Sequence, residues 1–126
     1  MNYLGSHSSG RILAAACFML AILLAGCHSY RIDATVENRT GRAITQLEVD
    51  YPSASFGANA LTTDSVFHYR FQVRGSGAVT VQYTDADGHQ VKVTGPTLHE
   101  KQEGRLDIVL APGGKGAFQV ELHPQN

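Results

Sequence analysis

The chain has 126 residues, with ten basic and eleven acidic side chains and a formal net charge of −1 at pH 7. This near-balance excludes the strongly basic surface on which non-specific nucleic-acid binding depends, so we expect no nucleic-acid partner. With two cysteines and no tryptophan, the chain is also not a disulfide-rich scaffold, and its stability must come from a packed core.

The first element is an apolar run at residues 12–25. As a helix, these residues would span about 21 Å, which is less than the roughly 30 Å thickness of a bilayer core. Arg11 precedes the run, and the small residues Ala25 and Gly26 end it. A basic residue, a short apolar stretch and small residues at the cut site are typical of a secretory signal, so we expect export with cleavage after Gly26.

The four residues Leu24-Ala25-Gly26-Cys27 resemble the lipobox of bacterial lipoproteins. The resemblance implies a diacylglyceryl thioether on Cys27, cleavage just before it, acylation of the freed amine, and the lipid bilayer as a partner. Cys17 would leave with the signal, so Cys27 would be the one thiol of the mature chain, and acylation would remove it. An ordinary cleaved signal, or an uncleaved anchor with an incidental cysteine, is the alternative.

This interpretation divides the chain into a signal peptide at 1–26 and a lipid-anchored domain at 27–126. Nine basic and eleven acidic residues remain in the mature chain, for a net charge of −2. Two or three acyl chains exceed the single-chain threshold for stable membrane anchoring. His28 stands second after the cut, and resemblance to enterobacterial sorting favours the outer membrane. The predicted location is therefore the bacterial cell envelope, on the periplasmic face or the surface.

The remaining residues carry the periodicity of strands. Phe67, Tyr69, Phe71 and Val73 alternate with polar residues, which is the pattern of a half-buried strand. Ile44 is out of phase with the alternating set after it, which predicts either a bulge or a late strand start at that point. Seven such segments, separated by turn residues, are centred on 32–36, 47–51, 67–73, 79–83, 91–93, 106–110 and 118–122. Gly95-Pro96 is expected to end the strand at 91–93.

Seven short strands with turns every 8–12 residues predict an all-β fold, a seven-stranded antiparallel β-sandwich. The spacing resembles immunoglobulin and fibronectin type III domains, and a transthyretin-like sandwich or a small open barrel is the alternative. The chain is also similar to small bacterial lipoproteins, a similarity that implies no activity. The longest irregular stretch, 52–65, is either a functional loop or a crossover between sheets with Phe56 and Leu61 as plugs.

One predicted surface could bind a ligand or partner. It is the polar face of residues 66–74, where His68, Arg70, Gln72 and Arg74 project from the same side of a strand, opposite its aromatic residues. Two arginines on one face could bind a carboxylate, a phosphate or an acidic partner through forked hydrogen bonds. A solvated face of an ordinary antiparallel strand has the same pattern.

The sequence predicts no metal site and no cofactor. Asp85-Ala86-Asp87-Gly88 resembles the first half of a calcium loop, but His89 and Pro96 occupy the fifth and twelfth positions, so a β-turn is the better interpretation. The mature chain also has five histidines, and they are not spaced as zinc ligands. They are His28, His68, His89, His99 and His123.

No catalytic residues are predicted, and we expect no enzyme. Ser76 lies directly between two glycines and lacks the spacing of a nucleophile elbow. Gly113-Gly114-Lys115-Gly116 lacks the length of a phosphate-binding loop. The predicted function is a non-enzymatic envelope lipoprotein that acts as a structural or protein-interaction module, with an envelope protein as its partner. The alternative is a ligand-binding module for a glycan or small anion that uses Arg70, Arg74 and residues 52–65.

Overall fold

The computed structural model describes residues 28–124, which form a β-sandwich of eight strands. The predicted signal peptide and Cys27 lie outside the described residues. Between residues 28 and 124 there is no helix, and therefore none that could cross a membrane. The strands are β1 (Ile32–Asn38), β2 (Ile44–Tyr51), β3 (Ala54–Leu61), β4 (Val66–Phe71), β5 (Gly77–Thr84), β6 (Gln90–Leu98), β7 (Gln102–Ala111) and β8 (Lys115–Pro124).

Two four-stranded sheets face each other. Sheet A has the strand order β4-β1-β7-β8, and sheet B has the order β3-β2-β5-β6. The all-β sandwich prediction is confirmed, but the pairing is not wholly antiparallel, because β1 and β7 pair in parallel register. Hydrophobic alternation along a strand is the same for both kinds of pairing. The sequence pattern therefore could not reveal that β1 and β7 start at the same end of the sandwich.

The core lies between the sheets and is built from alternate residues of the strands. Val36, Val49, Val81 and Ile108 are completely buried, while their chain neighbours face outward. Burying such side chains contributes about 1.5–3 kcal/mol each relative to exposure, which makes this layer the main source of stability. The other buried hydrophobic residues are Ile32, Ala34, Ile44, Leu47, Phe56, Leu61, Phe71, Val73, Val79, Tyr83, Leu98, Leu106 and Leu110.

The eighth strand, β3, occupies most of the stretch predicted to be irregular. A two-residue turn, Pro52-Ser53, returns the chain antiparallel along β2, and Ser53 has a φ of 86°. Small residues dominate β3, so it has no hydrophobic alternation, and its pairing with β2 determines its conformation. Phe56 and Leu61 are buried, and the chain then crosses to sheet A at 62–65, as the crossover interpretation predicted.

Three further local predictions can be compared with the structure. The bulge predicted near Ile44 is confirmed by a register shift between Thr45 and Glu48. The strand predicted over 67–73 is too long, because β4 ends at Phe71. Pro96 does not end β6 as expected, since the strand continues to Leu98 across a register shift against β5. A proline is tolerated there because β6 is an edge strand.

The two ends of the sandwich carry different connections. The end at which β1 begins, here called the proximal end, has residues 28–31, 52–53, 72–76 and 99–101. The opposite, distal end has the turns at 39–43, 62–65, 85–89 and 112–114.

Candidate functional site

Three of the four edge strands carry features that discourage pairing with another chain. β4 has His68 and Arg70 on its outer face. β6 has Lys92 and the irregularity at Pro96, and β8 begins at Lys115. Charged side chains, prolines and bulges on an edge are the usual means by which β-proteins avoid edge-to-edge association.

β3 is the exception among these edges. Its eight residues, Ala54–Leu61, contain no charged residue and no proline, and five of them are exposed. No described strand lies on the side of β3 away from β2. A side chain at Gly57 would overlap the backbone oxygen of Leu47, so glycine is required there. β3 is therefore an edge of mostly small, uncharged residues, and the backbone N–H and C=O groups on its outer side have no neighbouring strand among the described residues. This β3 edge is the candidate functional site.

An aromatic cluster lies beside the β3 edge, where the edges of the two sheets meet. Phe56 of β3 stacks on Tyr69 of β4, with ring centroids 4.5 Å apart and an interplanar angle of 18°. Tyr69 keeps 42% of its surface exposed. The ring centroids of Tyr51 and Phe71 are 4.2 Å apart. Burial raises the pKa of the Tyr51 hydroxyl. Exposed apolar surface therefore borders the β3 edge.

The predicted polar face divides between two parts of the structure. His68 and Arg70 lie on β4, whereas Gln72 and Arg74 follow the end of the strand; all four side chains are exposed. Arg70 is already engaged: its Nε donates to Oδ1 of Asp33 at 2.6 Å, and its Nη2 donates to Oδ2 at 3.4 Å. Arg70 and Arg74 therefore do not form a pair of unpaired arginines on one strand, because Arg70 is bound to Asp33 and Arg74 lies beyond the end of β4.

The outer face of sheet A is a row of alternating charges. Strand register places Arg70, Asp33, Arg105 and Glu121 side by side across the four strands. Arg105 lies 3.6 Å from Asp107, which also accepts a hydrogen bond of 2.7 Å from the Thr35 hydroxyl. This pairing neutralises the face and weakens the case for an anion site there.

Loss of the Arg70 side chain should be visible in the titration of Asp33. The hydrogen bond from Arg70 lowers the pKa of the Asp33 carboxyl. Since that pKa is lowered in the folded state, the pair contributes stability above the ordinary Asp pKa and loses it as pH falls through the folded value. In Arg70→Gln, NMR titration should find the Asp33 pKa raised toward its ordinary value. An unchanged value would show that Arg70 has no influence on Asp33.

Asp85, Asp87 and His89 come together at the distal end. One ligand atom from each lies within 4.8 Å of the others. The Asp85 carboxylate, however, accepts the backbone N–H groups of Asp87 at 2.9 Å and His89 at 2.8 Å, and Arg42 donates to Asp87 at 2.9 Å. The hydrogen bond from the His89 backbone is the main cause that lowers the pKa of the Asp85 carboxyl, and the one from Asp87 lowers it further. The predicted turn thus accounts for the cluster.

We expect divalent cations to leave the stability of the chain unchanged. A cation bound to Asp87 would have to displace the guanidinium of Arg42, whose positive charge also repels it. Thermal unfolding with a ten-fold molar excess of zinc or calcium should therefore give the same midpoint as unfolding with chelator. A metal-dependent rise that Asp87→Asn abolishes would contradict this.

Asn38 is a structural residue that sequence reasoning did not single out. It is completely buried at the end of β1, and its Nδ2 lies 2.8 Å from the Arg42 oxygen and 3.0 Å from the Leu61 oxygen. Its Oδ1 accepts from the backbone and hydroxyl of Thr40. Asn38 therefore joins the β1–β2 turn to the end of β3. The one indication in the sequence was its position at the start of Asn38-Arg39-Thr40-Gly41, a sequence typical of a turn.

No protein-family description matches the chain, and no curated protein or solved structure matches it.

Proposed function

We propose that this chain is a lipid-anchored, non-enzymatic envelope protein that recruits a protein partner through its β3 edge. The observation that carries the proposal is the contrast between β3 and the other three edges. The residues Ala54–Leu61 have neither charge nor proline, and the strand is exposed over most of its length. A lipid anchor at Cys27, on the resemblance of Leu24–Cys27 to a lipobox, supplies the location.

The partner would bind by adding an extended segment to sheet B. Its backbone would form the hydrogen bonds that β3 leaves open on its outer side, and such pairing supplies affinity with little dependence on sequence. The small residues Ser55, Gly57 and Ala60 allow close approach along the edge. Specificity would come from an apolar side chain of the partner that packs on Tyr69, which is 42% exposed beside Phe56 of β3.

The alternative of a glycan or anion site has less support. Its main residue, Arg70, is held by Asp33 in a forked ion pair, and residues 54–61 of its proposed loop form a paired strand. An anion would have to compete with the carboxylate for the same guanidinium.

Site-specific photocrosslinking in cells tests the proposal. A benzophenone amino acid is placed at Asn59 on β3 in one variant and at Gln119 on β8 in a matched variant. Both positions are exposed on edge strands. We expect a discrete crosslinked protein from Asn59 and none from Gln119.

Charge on the β3 edge provides the second arm. Ser55→Lys is added to the variant that carries the benzophenone amino acid at position 59. The yield of the crosslink should fall several-fold, because a desolvated charge opposes strand addition. Val120→Lys on β8 is the matched control and should leave it unchanged. Equal crosslinking from β3 and β8, or a crosslink insensitive to Ser55→Lys, would contradict a β3-edge interface.

A further inference from the structure

Among residues 28–124, some of the Lys and Arg side chains form ion pairs and others do not, and the two groups lie in different parts of the structure. Four arginines, on the sheet A face and at the distal end, form ion pairs: Arg39, Arg42, Arg70 and Arg105. Five other cations have no ion pair within residues 28–124: Arg31, Arg74, Lys92, Lys101 and Lys115. Three of these five are at the proximal end.

The backbone topology brings these three residues to one end of the sandwich. Arg31 directly precedes β1, and its carbonyl oxygen accepts the N–H of Gly104 near the start of β7 at 3.2 Å. Arg74 follows β4, whose last residue Phe71 pairs with Ile32. Lys101 lies in the turn between β6 and β7. All three side chains are exposed.

The segment that leads to the predicted anchor is held against this end. His28 Nε2 lies 3.1 Å from Oε2 of Glu103 on β7, and the His28 ring meets Tyr30 edge-on with centroids 4.7 Å apart. Consecutive Cα atoms are about 3.8 Å apart, so Cys27 can reach no further than one residue from a docked His28. An acyl anchor on Cys27 would therefore hold the proximal end at the bilayer surface.

We infer that the proximal end is a binding surface for anionic phospholipid headgroups, with Arg31, Arg74 and Lys101 as the contacting residues. The inference rests on the proposed anchor at Cys27. Glu100 and Glu103 lie at the same end, and Glu103 is the carboxylate engaged by His28. A basic residue near an anionic membrane surface raises surface affinity about five-fold. The contact would turn the distal end away from the bilayer and leave the β3 edge open to a partner.

Lipid-borne quenching of a fluorescent label tests the orientation. The full chain, with the processing and acylation it receives in cells, is reconstituted into vesicles of phosphatidylcholine alone or with phosphatidylglycerol at 30%. The label is placed at Gln72→Cys near the proximal end or at Ala86→Cys at the distal end, both exposed. With phosphatidylglycerol present, we expect a headgroup quencher to act at least three-fold more on position 72 than on position 86. High salt should reduce the difference.

Matched charge variants identify the contacting residues. Arg31→Gln with Arg74→Gln should remove most of the lipid-dependent quenching at position 72. Lys92→Gln with Lys115→Gln removes the same amount of unpaired charge elsewhere and should leave the quenching unchanged. Equal quenching at the two labels, no dependence on phosphatidylglycerol, or equal effects of the two double variants would overturn the inference.

Failure of the anchor is distinguishable from failure of the surface. Intact mass of the same reconstituted sample reports whether Cys27 carries acyl groups. If it does not, the anchor proposal fails and the inference that rests on it fails too, whereas an acylated chain without lipid-dependent orientation overturns only the headgroup surface.

Discussion

Replacement of Asn38 by alanine is expected to lower the free energy of unfolding by about 3 kcal/mol, measured by urea denaturation. The change removes the side-chain groups that contact the carbonyl oxygens of Arg42 and Leu61 and the hydroxyl of Thr40. Unmatched buried polar groups cost about 1–3 kcal/mol each, and water can reach some of these at the turn. Asn59→Ala is the matched control, since Asn59 is exposed and should change stability by less than about 0.5 kcal/mol.

Aspartate at position 38 separates hydrogen bonding from simple loss of volume. The carboxylate would face the same carbonyl oxygens that now accept from Asn38. Those oxygens disfavour the charged form, which raises the pKa of the new carboxyl in the folded state. Relative to the parent chain, Asn38→Asp should therefore be more destabilised at pH 7 than at pH 4. The same loss at both pH values would show that the carboxylate does not face these oxygens.

Gly104→Ala is expected to lower the free energy of unfolding by about 3 kcal/mol or more. Gly104 has a φ of 139°, a conformation that side chains rarely adopt, and strain of this kind costs about 1–3 kcal/mol. An added Cβ would also overlap the backbone oxygen of Glu121 on the neighbouring strand β8. The two strands would have to separate locally, which weakens the β7–β8 pairing.

Gly113→Ala is the matched control for Gly104→Ala. Gly113 also has a positive φ, 77°, but apart from Gly113 itself and its two chain neighbours no residue comes within 4 Å of the position that a Cβ would occupy. We expect a loss of only about 1–2 kcal/mol, the cost of the left-handed conformation alone. Equal losses in the two variants would show that close packing at Gly104 contributes nothing.

Strands with large alternating side chains could be predicted from the sequence. The segments around Phe67–Phe71 and Val79–Tyr83 alternate strictly, and both are strands, with Phe71, Val79, Val81 and Tyr83 buried. β3 could not be predicted in this way. Its small residues have weak strand propensity, and its two buried residues, Phe56 and Leu61, are five positions apart, so it depends on pairing with β2.

The candidate site was the less predictable part, because it depends on strand order. The sequence singled out Arg70 as a residue that could bind an anion or an acidic partner. Its actual partner, Asp33, is 37 residues away, on a strand whose adjacency the pattern does not reveal. The Asp85 turn was predictable because its hydrogen bonds reach only two and four residues along the chain. The β3 edge becomes visible only when the strand order shows which strands have one neighbour.

Metabolic labelling with a clickable fatty acid, read by intact mass, tests the central claim most directly. We predict a labelled chain that begins at Cys27, carries the mass of a diacylglyceryl group and an amide-linked acyl chain, and is absent when Cys27 is changed to alanine. Changing the other cysteine, Cys17→Ala, should leave labelling intact. A chain that takes up label with alanine at position 27, or that is cut elsewhere and carries no lipid, would contradict a lipid-anchored envelope protein.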